Sequence, residues 1–170
     1  FMMASPLYRQ EQEWKQNGIL LSRQTMANWL LKASKDWLEP LFEGMKQKLL
    51  KHSVLHVDET TVQVLKEPGK AAQSKSYMWL YRTSGEAKNQ IVLYDYQSDR
   101  RYIRPREFLE GFSGFIHTDG YEAYHRLPDN ITVVGCLAHL RRKFFEGLKI
   151  LPKEKWKDSS LFTGVEYCDR

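Results

Sequence analysis

Acidic residues lie inside two segments that otherwise have the composition of buried strands. Asp58 and Glu59 occupy the middle of SVLHVDETTVQVL, residues 53–65, where apolar and β-branched residues predict a strand. Asp119 ends the segment GFIHTD and is followed by Gly120, which lets the backbone turn. If the two strands are neighbours in one sheet, Asp58 and Asp119 meet although they are far apart in the sequence. The pair is therefore a candidate site.

Two carboxylates in a partly buried site repel each other and lose hydration, so both stay ionised only when a cation lies between them. Oxygen ligands suit Mg²⁺ or Mn²⁺, which keep several water molecules and bind phosphate oxygens through their open positions. Such a metal activates a nucleophile and stabilises the departing oxygen in phosphodiester chemistry. We predict that Asp58 and Asp119 are catalytic metal ligands. The alternative is a local role for each acid, an ion pair with arginine for Asp58 and a turn for Asp119.

The elements around these acids have the order of a mixed sheet. Three segments joined by short polar loops predict an antiparallel meander, and helices alternate with strands after it. The later strands need crossover connections to run parallel, so the order predicts an α/β fold with helices on the faces of the sheet. The predicted strands are residues 53–65, 77–83, 90–96, 114–118 and 131–137, and the predicted helices are residues 105–111 and 138–150, with a loop or helix at 120–127.

Aromatic residues alternate along the second and third predicted strands. They are Trp79, Tyr81, Tyr94 and Tyr96. Because alternate residues of a strand share a face, this pattern predicts that the aromatic side chains form a core face in both strands. Stacking on nucleic-acid bases is the alternative.

The first fifty residues predict a helical region. Residues 7–16 favour a helix, Asn17 and Gly18 break it, and Ser22 caps a second helix at residues 23–33. A third helix is predicted at residues 35–51, with an apolar side for a core or a partner helix. We therefore predict two domains, a helical region over residues 1–50 and a sheet domain over residues 51–170.

Three residues at the start of the second helix have side chains that reach phosphates or base edges. They are Arg23, Gln24 and Thr25. Their position predicts a helix-turn-helix-like region that contacts DNA. A helical hairpin that packs on a neighbour, without contacting DNA, is the alternative.

The composition favours a globular protein with a polyanionic partner. Lys and Arg outnumber Asp and Glu by 26 to 21, which gives a net charge of +5 and favours nucleic acid through counterion release. No segment is long and apolar enough to predict a membrane span. Only two cysteines occur, which favours a reducing compartment, and we predict a cytoplasmic protein.

The last predicted helix is basic. Its candidate DNA-binding residues are His139, Arg141, Arg142 and Lys143. They can hold a phosphate backbone near the acids, and the alternative is a solvated surface. Cys136 and His139 have the spacing of half a zinc site, but the sequence offers no second pair at a suitable distance, which argues against zinc.

Four motifs resemble one family of mobile-element proteins. HVDET, YMWLYRT, GFIHTDGYEAY and GCLAHLRRKF occur in the same order and at similar spacing as in transposases of the bacterial insertion sequence 66 (IS66) family. LYRQEQEW and LSRQTMANWL resemble the stretch that precedes the catalytic domain in that family. The resemblance extends to about Leu151, which is nearly the whole chain.

The resemblance implies a ribonuclease-H-like domain with an Asp, Asp, Glu metal triad. Asp58 matches the first acid and Asp119 the second. In relatives the Glu lies in an Asn-Asn-rich motif that ends in Glu-Arg on a late helix, and this sequence has no such motif. We therefore expect the chain to be a piece of a longer protein, truncated before the catalytic Glu.

Other glutamates are poor substitutes for the missing acid. Glu154 lies 35 positions after Asp119, but in the solvated charge run KEKWKD. Glu146 belongs to the basic helix motif. Glu59 and Glu122 neighbour the catalytic acids, and we expect them to face the opposite side of the sheet or to cap local structure.

The sequence therefore predicts the catalytic fragment of a DNA transposase. The parent protein would use Mg²⁺ or Mn²⁺ to cleave DNA and to join its 3′ end to a target, and we expect the fragment alone to be inactive. Element ends, target DNA and further copies in a transposition complex are the predicted partners. The alternatives are a non-catalytic DNA-binding or assembly module and another ribonuclease-H-like nuclease.

Overall fold

The computed structural model describes residues 5–169, which divide into two compact units between Lys46 and Gln47. The division lies four residues before the predicted domain boundary at residue 50. Among the helices of residues 5–169, none is long and apolar enough to span a membrane. The two units are described separately below.

The N-terminal unit begins with a helical hairpin. Helix α1 spans Leu7–Gln16 and helix α2 spans Arg23–Ala33, as predicted. The Ser22 hydroxyl accepts the Thr25 N–H at 3.1 Å, so the predicted cap is confirmed. The connection, residues 17–22, is longer than the three or four residues typical of a helix-turn-helix motif.

The prediction of a separate third helix at residues 35–51 was wrong at its start. Helix α2 continues without a break through a π-helical turn, Ser34–Leu38, into helix α3, Glu39–Leu49. Pro40 lies at the second position of α3 and has no N–H to donate. Its ring also crowds the carbonyl one turn earlier, and the wider π turn before it accommodates the ring.

The second unit is built on a five-stranded sheet. The strands are β1, Val54–Gln63; β2, Lys75–Thr83; β3, Val92–Gln97; β4, Gly114–Thr118; and β5, Ile131–Gly135. Their order is β3-β2-β1-β4-β5, with antiparallel pairing from β1 to β3 and parallel pairing of β4 with β1 and β5. The predicted α/β fold with a ribonuclease-H-like mixed sheet is confirmed.

Helices and turns lie between the later strands and after the last one. Helix α4 spans Ile103–Phe108, a 3₁₀ turn spans Glu122–Arg126, and helix α5 spans Leu137–Lys149. A 3₁₀ turn, Lys153–Lys155, and a further helix α6, Ser160–Cys168, follow. Predicted and observed ends of these elements differ by up to three residues at places where the sequence has no cap.

The last helix was not predicted, although its start has a recognisable cap. The Ser159 hydroxyl accepts the Leu161 N–H at 3.2 Å. Helix α6 packs closely on α5 at Gly164. A Cβ added to this glycine would lie only 2.9 Å from the Phe144 ring. Tertiary packing therefore supports a helix whose own sequence pattern is short and weak.

The sheet has a core face and an open face. On the core face, Trp79 and Tyr81 are fully buried, and Tyr81 stacks on Phe108 of α4 with ring centroids 3.6 Å apart. The prediction of an aromatic core face was wrong for β3, where Tyr94 and Tyr96 are 62% and 42% exposed. Tyr94 pairs with Leu80 and Tyr96 with Met78, and this register turns both tyrosines to the open face.

Gly114 begins β4 in a conformation that side chains rarely adopt. Its φ is +150°. A Cβ added to Gly114 would clash with the Ser53 carbonyl group, because this Cβ would lie only 3.1 Å from the carbonyl carbon. We expect Gly114→Ala to lower the free energy of unfolding by about 3 kcal/mol, through strain and through loss of the close approach of β1.

Gly85→Ala is the matched control for this prediction. Nothing lies within 4 Å of a Cβ at Gly85, so its cost should stay within about 0.5 kcal/mol. Urea denaturation of both variants measures the difference. Equal stability of the two variants would contradict the strained start of β4.

Candidate active site

The parallel pairing of β1 with β4 brings the two predicted metal ligands to one place. His56 pairs with His117, Asp58 lies two residues further along β1, and Asp119 follows directly after the end of β4. Both aspartates line a cavity of about 270 Å³ beside the C-terminal end of β4. The structure therefore places together the two acids that were predicted from distant segments.

The cavity also contains imidazole, guanidinium and thiol groups. His56 and His117 have ring centroids 4.7 Å apart, and Arg82 lines the cavity beside them. Cys136 and His139 line it from the beginning of α5. Sequence reasoning did not assign Arg82 or His117, although His117 precedes Asp119 by two positions, as His56 precedes Asp58.

Two of these imidazoles have unusual surroundings. Burial, with smaller contributions from the charges of Arg82 and His117, lowers the pKa of His56, which favours its neutral form. The Nδ1 atom of His139 is buried and has no hydrogen-bond partner among residues 5–169. An unpartnered buried nitrogen beside two carboxylates is an available ligand contact.

Both aspartates keep carboxylate oxygens available for a ligand. Asp58 Oδ1 accepts the Glu59 N–H at 2.9 Å, and no ion pair joins Asp58 to any residue of the described chain. Asp119 Oδ1 accepts the Tyr121 N–H at 2.9 Å. Gly120 has a φ of +84°, which allows the turn that sets this geometry. The turn at Asp119 is confirmed, and it is compatible with a metal-binding role.

Glu59 faces the core side of the sheet, as predicted, and is nearly fully buried. Its side chain is 1% exposed, and it accepts hydrogen bonds from the Arg100 guanidinium and the Tyr124 hydroxyl. Burial raises the pKa of Glu59 and outweighs the opposing hydrogen bonds from Tyr124 and Arg100. The Arg100 guanidinium therefore compensates a carboxylate that has lost its hydration.

Arg100 connects this buried carboxylate to the candidate site. Its Nη2 atom lies 3.9 Å from Asp119 Oδ2, and its guanidinium lies 3.6 Å from the centroid of the Tyr121 ring. The Tyr121 hydroxyl in turn donates to the Arg100 carbonyl at 3.2 Å. Sequence reasoning missed Arg100, because it lies in the polar loop after β3 and the sequence gives no periodic signal there.

The described residues provide two carboxylates for a metal and no third ligand of comparable type. Within residues 5–169, no group of three or more His, Cys, Asp or Glu side chains is placed to hold a metal ion. Glu146 and Glu154 are exposed, and Glu122 pairs with Arg126 at 2.8 Å. Hard oxygen donors at one cavity fit Mg²⁺ or Mn²⁺ in type, and the set is incomplete in number.

The predicted DNA-binding residues of α5 differ in availability. Arg141 pairs with Asp169, with Nη2 and Oδ2 3.0 Å apart. Arg142 and Lys143 are exposed, and in the part of the chain that is described neither forms an ion pair. Lys143 lines a second cavity of about 230 Å³ together with Asp119. Arg142 and Lys143 are therefore freer to contact a phosphate than Arg141.

The three candidates in α2 all have local contacts within the N-terminal unit. The Thr25 hydroxyl lies 2.9 Å from the Ser22 hydroxyl, and the Gln24 amide donates to Asn28 at 3.0 Å. The Arg23 guanidinium lies 5.8 Å from the centroid of the Tyr8 ring. Thr25 thus serves the cap, and DNA contact by these residues stays a prediction.

A family model described as "Transposase IS66 family" matches residues 1–161. The chain belongs to the IS66 transposase family. Relatives include three uncharacterized proteins of Sinorhizobium fredii (strain NBRC 101917 / NGR234). The protein y4qI is 32% identical, and the match covers 83% of this chain and 28% of y4qI. The protein y4hP is 31% identical, over 86% of this chain and 28% of y4hP. The protein y4jD is 30% identical, over 85% of this chain and 30% of y4jD. The IS66 chain thus spans less than a third of these relatives.

Two solved structures also resemble this IS66 family member. The crystal structure of the Mos1 strand transfer complex is 11% identical over 95% of this chain and 73% of that chain, with a TM-score of 0.30. The crystal structure of a pre-cleavage Mos1 transpososome is 13% identical in sequence, over 94% of this chain and 70% of that chain, with a TM-score of 0.29. At such TM-scores the fold assignment depends on the strand order and not on these neighbours.

We expect a coupling energy between Glu59 and Arg100, which form an ion pair beside the candidate site. Arg100→Gln leaves the Glu59 carboxylate buried without its cation, and we expect a loss of about 2 kcal/mol in the free energy of unfolding. The double variant Glu59→Gln/Arg100→Gln should lose clearly less than the sum of the two single variants.

Arg101→Gln is the control for this cycle, because its guanidinium is 69% exposed in its pair with Asp99. It should cost less than about 1 kcal/mol. Chemical denaturation of the four proteins and the control measures the coupling. A cost for Arg100→Gln no larger than that of Arg101→Gln would show that Arg100 does not compensate Glu59.

Proposed function

We propose that this chain is the catalytic portion of a DNA transposase, in which Asp58 and Asp119 hold a divalent metal for DNA strand cleavage and strand transfer. The observation that carries the proposal is the parallel pairing of β1 with β4, which brings two carboxylates to one cavity in a member of the IS66 family. Carboxylate oxygens and phosphate oxygens are the preferred ligands of Mg²⁺ and Mn²⁺.

The protein residues would bind and orient the metal. When bound, a divalent ion supplies Lewis-acid stabilisation of the phosphate and lowers the pKa of a hydroxyl nucleophile. Asp58 is exposed at the cavity and offers its carboxylate directly. Asp119 is oriented by the Tyr121 N–H and by Arg100, so its carboxylate has a defined direction before a ligand arrives.

A site with two carboxylates should not support strand transfer alone. We propose that the fragment is inactive by itself, since residues 5–169 place no third acid with Asp58 and Asp119. Each 1.36 kcal/mol of lost transition-state stabilisation lowers a rate tenfold, so a missing ligand costs orders of magnitude. The third acid would come from elsewhere in the parent protein.

Basic residues near the cavity would hold the DNA. Arg142 and Lys143 extend from α5, and Lys143 shares a cavity with Asp119. Arg23 and its neighbours in α2 would make further contacts from the N-terminal unit. Self-association in a transposition complex and a cytoplasmic location are parts of the same proposal and rest on the family and the composition.

Metal binding separates the catalytic proposal from its alternative. We expect saturating Mn²⁺ to raise the melting temperature of the chain by about 5 °C, because a ligand that binds only the folded state stabilises it. Asp58→Asn and Asp119→Asn should each abolish the shift. Asp129→Asn, an exposed aspartate in the loop before β5, is the matched control and should retain it.

A shift that survives Asp58→Asn would place the metal elsewhere and favour a non-catalytic DNA-binding or assembly module. Differential scanning fluorimetry in chelated buffer and in Mn²⁺ gives the comparison. A parent protein that cleaves RNA–DNA hybrids without joining DNA strands would instead indicate another ribonuclease-H-like nuclease.

The free basic residues of α5 should contribute more to DNA binding than the paired one. Arg142→Gln/Lys143→Gln should weaken binding to duplex DNA about tenfold and lower the salt slope by about 1.8, since each lost phosphate contact removes about 0.9. Arg141→Gln should change the slope by less than half of that, because Asp169 already pairs with its guanidinium. Fluorescence anisotropy over a range of salt concentrations measures the slopes. The same slope change per substituted residue in the double variant and in Arg141→Gln would contradict the greater contribution of Arg142 and Lys143.

A further inference from the structure

A second row of polar side chains lies beside the carboxylate pair on the open face of the sheet. Arg82 of β2 pairs with His56 of β1, and His56 pairs with His117 of β4. We call these three residues the basic row. They line the same cavity as Asp58 and Asp119. Because two residues along a strand rise about 7 Å, the basic row lies about that far from the carboxylate pair.

Arg82 differs from most arginines of the second unit in having no carboxylate partner. Five other arginines form ion pairs with described carboxylates, namely Arg100, Arg101, Arg104, Arg126 and Arg141. Arg82 is exposed at the cavity, and no residue between 5 and 169 forms an ion pair with it. A guanidinium with free forked donors is the side chain that best matches phosphate oxygens.

The two histidines add hydrogen-bond donors on the same level of the sheet. His56 and His117 contact each other through their rings, and no hydrogen bond ties either imidazole to another side chain of the described residues. Each imidazole offers at least one N–H donor, so the pair can donate hydrogen bonds to an anion. The basic row thus combines one guanidinium with two imidazole donors.

The cavity has room for a phosphate group. Its volume is about 270 Å³, and a water molecule occupies about 30 Å³ in the liquid, so a phosphate fits together with several waters. The unpartnered Nδ1 of His139 is buried at the wall of the same cavity. Tyr94, which pairs with Leu80 on the open face, is 62% exposed and can stack on an unpaired base.

We propose that the basic row, Arg82, His56 and His117, binds a backbone phosphate of a DNA strand, the one next to the phosphate at the carboxylate pair. The separation of the basic row from Asp58 and Asp119 is comparable with the spacing of successive phosphates along an unstacked strand. The placement beside the metal rests on the proposed function. Phosphate binding by the row itself does not require metal and can be measured without it.

The test measures binding of a short fluorescein-labelled oligothymidylate to the full chain in EDTA. We expect Arg82→Gln to weaken binding about tenfold and to lower the salt slope by about 0.7, the value for one phosphate contact on a single strand. His56→Asn/His117→Asn should also weaken binding, because it removes both imidazole donors from the basic row. Arg82→Lys should retain the slope and lose part of the affinity, since a lysine keeps the charge without the fork.

Arg106→Gln is the matched control, because it removes the same charge from an exposed arginine of α4 that also lacks an ion pair with any described residue. Helix α4 packs on the core face through Phe108 and Tyr81, so Arg106 lies away from the cavity. It should leave affinity and slope near those of the unaltered chain. Thermal unfolding of each variant establishes that it is folded at the assay temperature.

Three outcomes would overturn the proposal. In the first, the unaltered chain does not bind oligothymidylate. In the second, Arg82→Gln and Arg106→Gln change the affinity equally. In the third, the double histidine variant binds as tightly as the unaltered chain. Failure of the proposed function has a different signature, in which Mn²⁺ has no effect that depends on Asp58 while the Arg82 effect in EDTA persists. If Arg82→Gln fails to fold, the affinities of Arg82→Lys and of the double histidine variant decide the question.

Discussion

The parallel pairing of β1 with β4 is the constraint on which the rest of the site depends. Burial fixes its register, because Leu55 and Val57 on β1 and Ile116 and Thr118 on β4 are all buried on the core face. A slip of one residue would bring the polar residues of β1 into the core and the apolar ones to solvent. The hydrophobic pattern of two short strands thus determines that Asp58 faces the cavity.

The core under this sheet also carries a charge, which links packing to the site. Glu59 pairs in register with Trp79, whose ring meets the Tyr124 ring edge-on at 6.1 Å. Tyr124 and Arg100 satisfy the buried carboxylate, and Arg100 reaches Asp119 from the same position. An aromatic core and one guanidinium therefore contribute, together with the turn at Gly120, to the orientation of Asp119.

Much of this arrangement followed from local patterns in the sequence. The run of β-branched and apolar residues at 53–65, the Asp-Gly turn at residue 119 and the Ser22 cap each act within a few residues, and each was predicted. The contacts that were missed join distant segments with no periodic signal. Arg100 lies in a loop and meets Glu59 only in the folded sheet, and α6 depends on the fit of Gly164 against Phe144. Which side chains of β3 face the core depends on the register of β3 with β2 and not on the alternation of residues within β3. This register exposes Tyr94.

We propose different chemistry for successive levels of the open face, where Asp58 and Asp119 would be oxygen ligands and the basic row two residues away would bind phosphate. The central claim is that Asp58 and Asp119 would together hold one divalent ion. Anomalous diffraction from crystals soaked in Mn²⁺ measures its position directly. The account predicts one ordered Mn²⁺ within coordination distance of a carboxylate oxygen of both Asp58 and Asp119. Manganese bound to other residues, or to one aspartate with the second turned away, would contradict it.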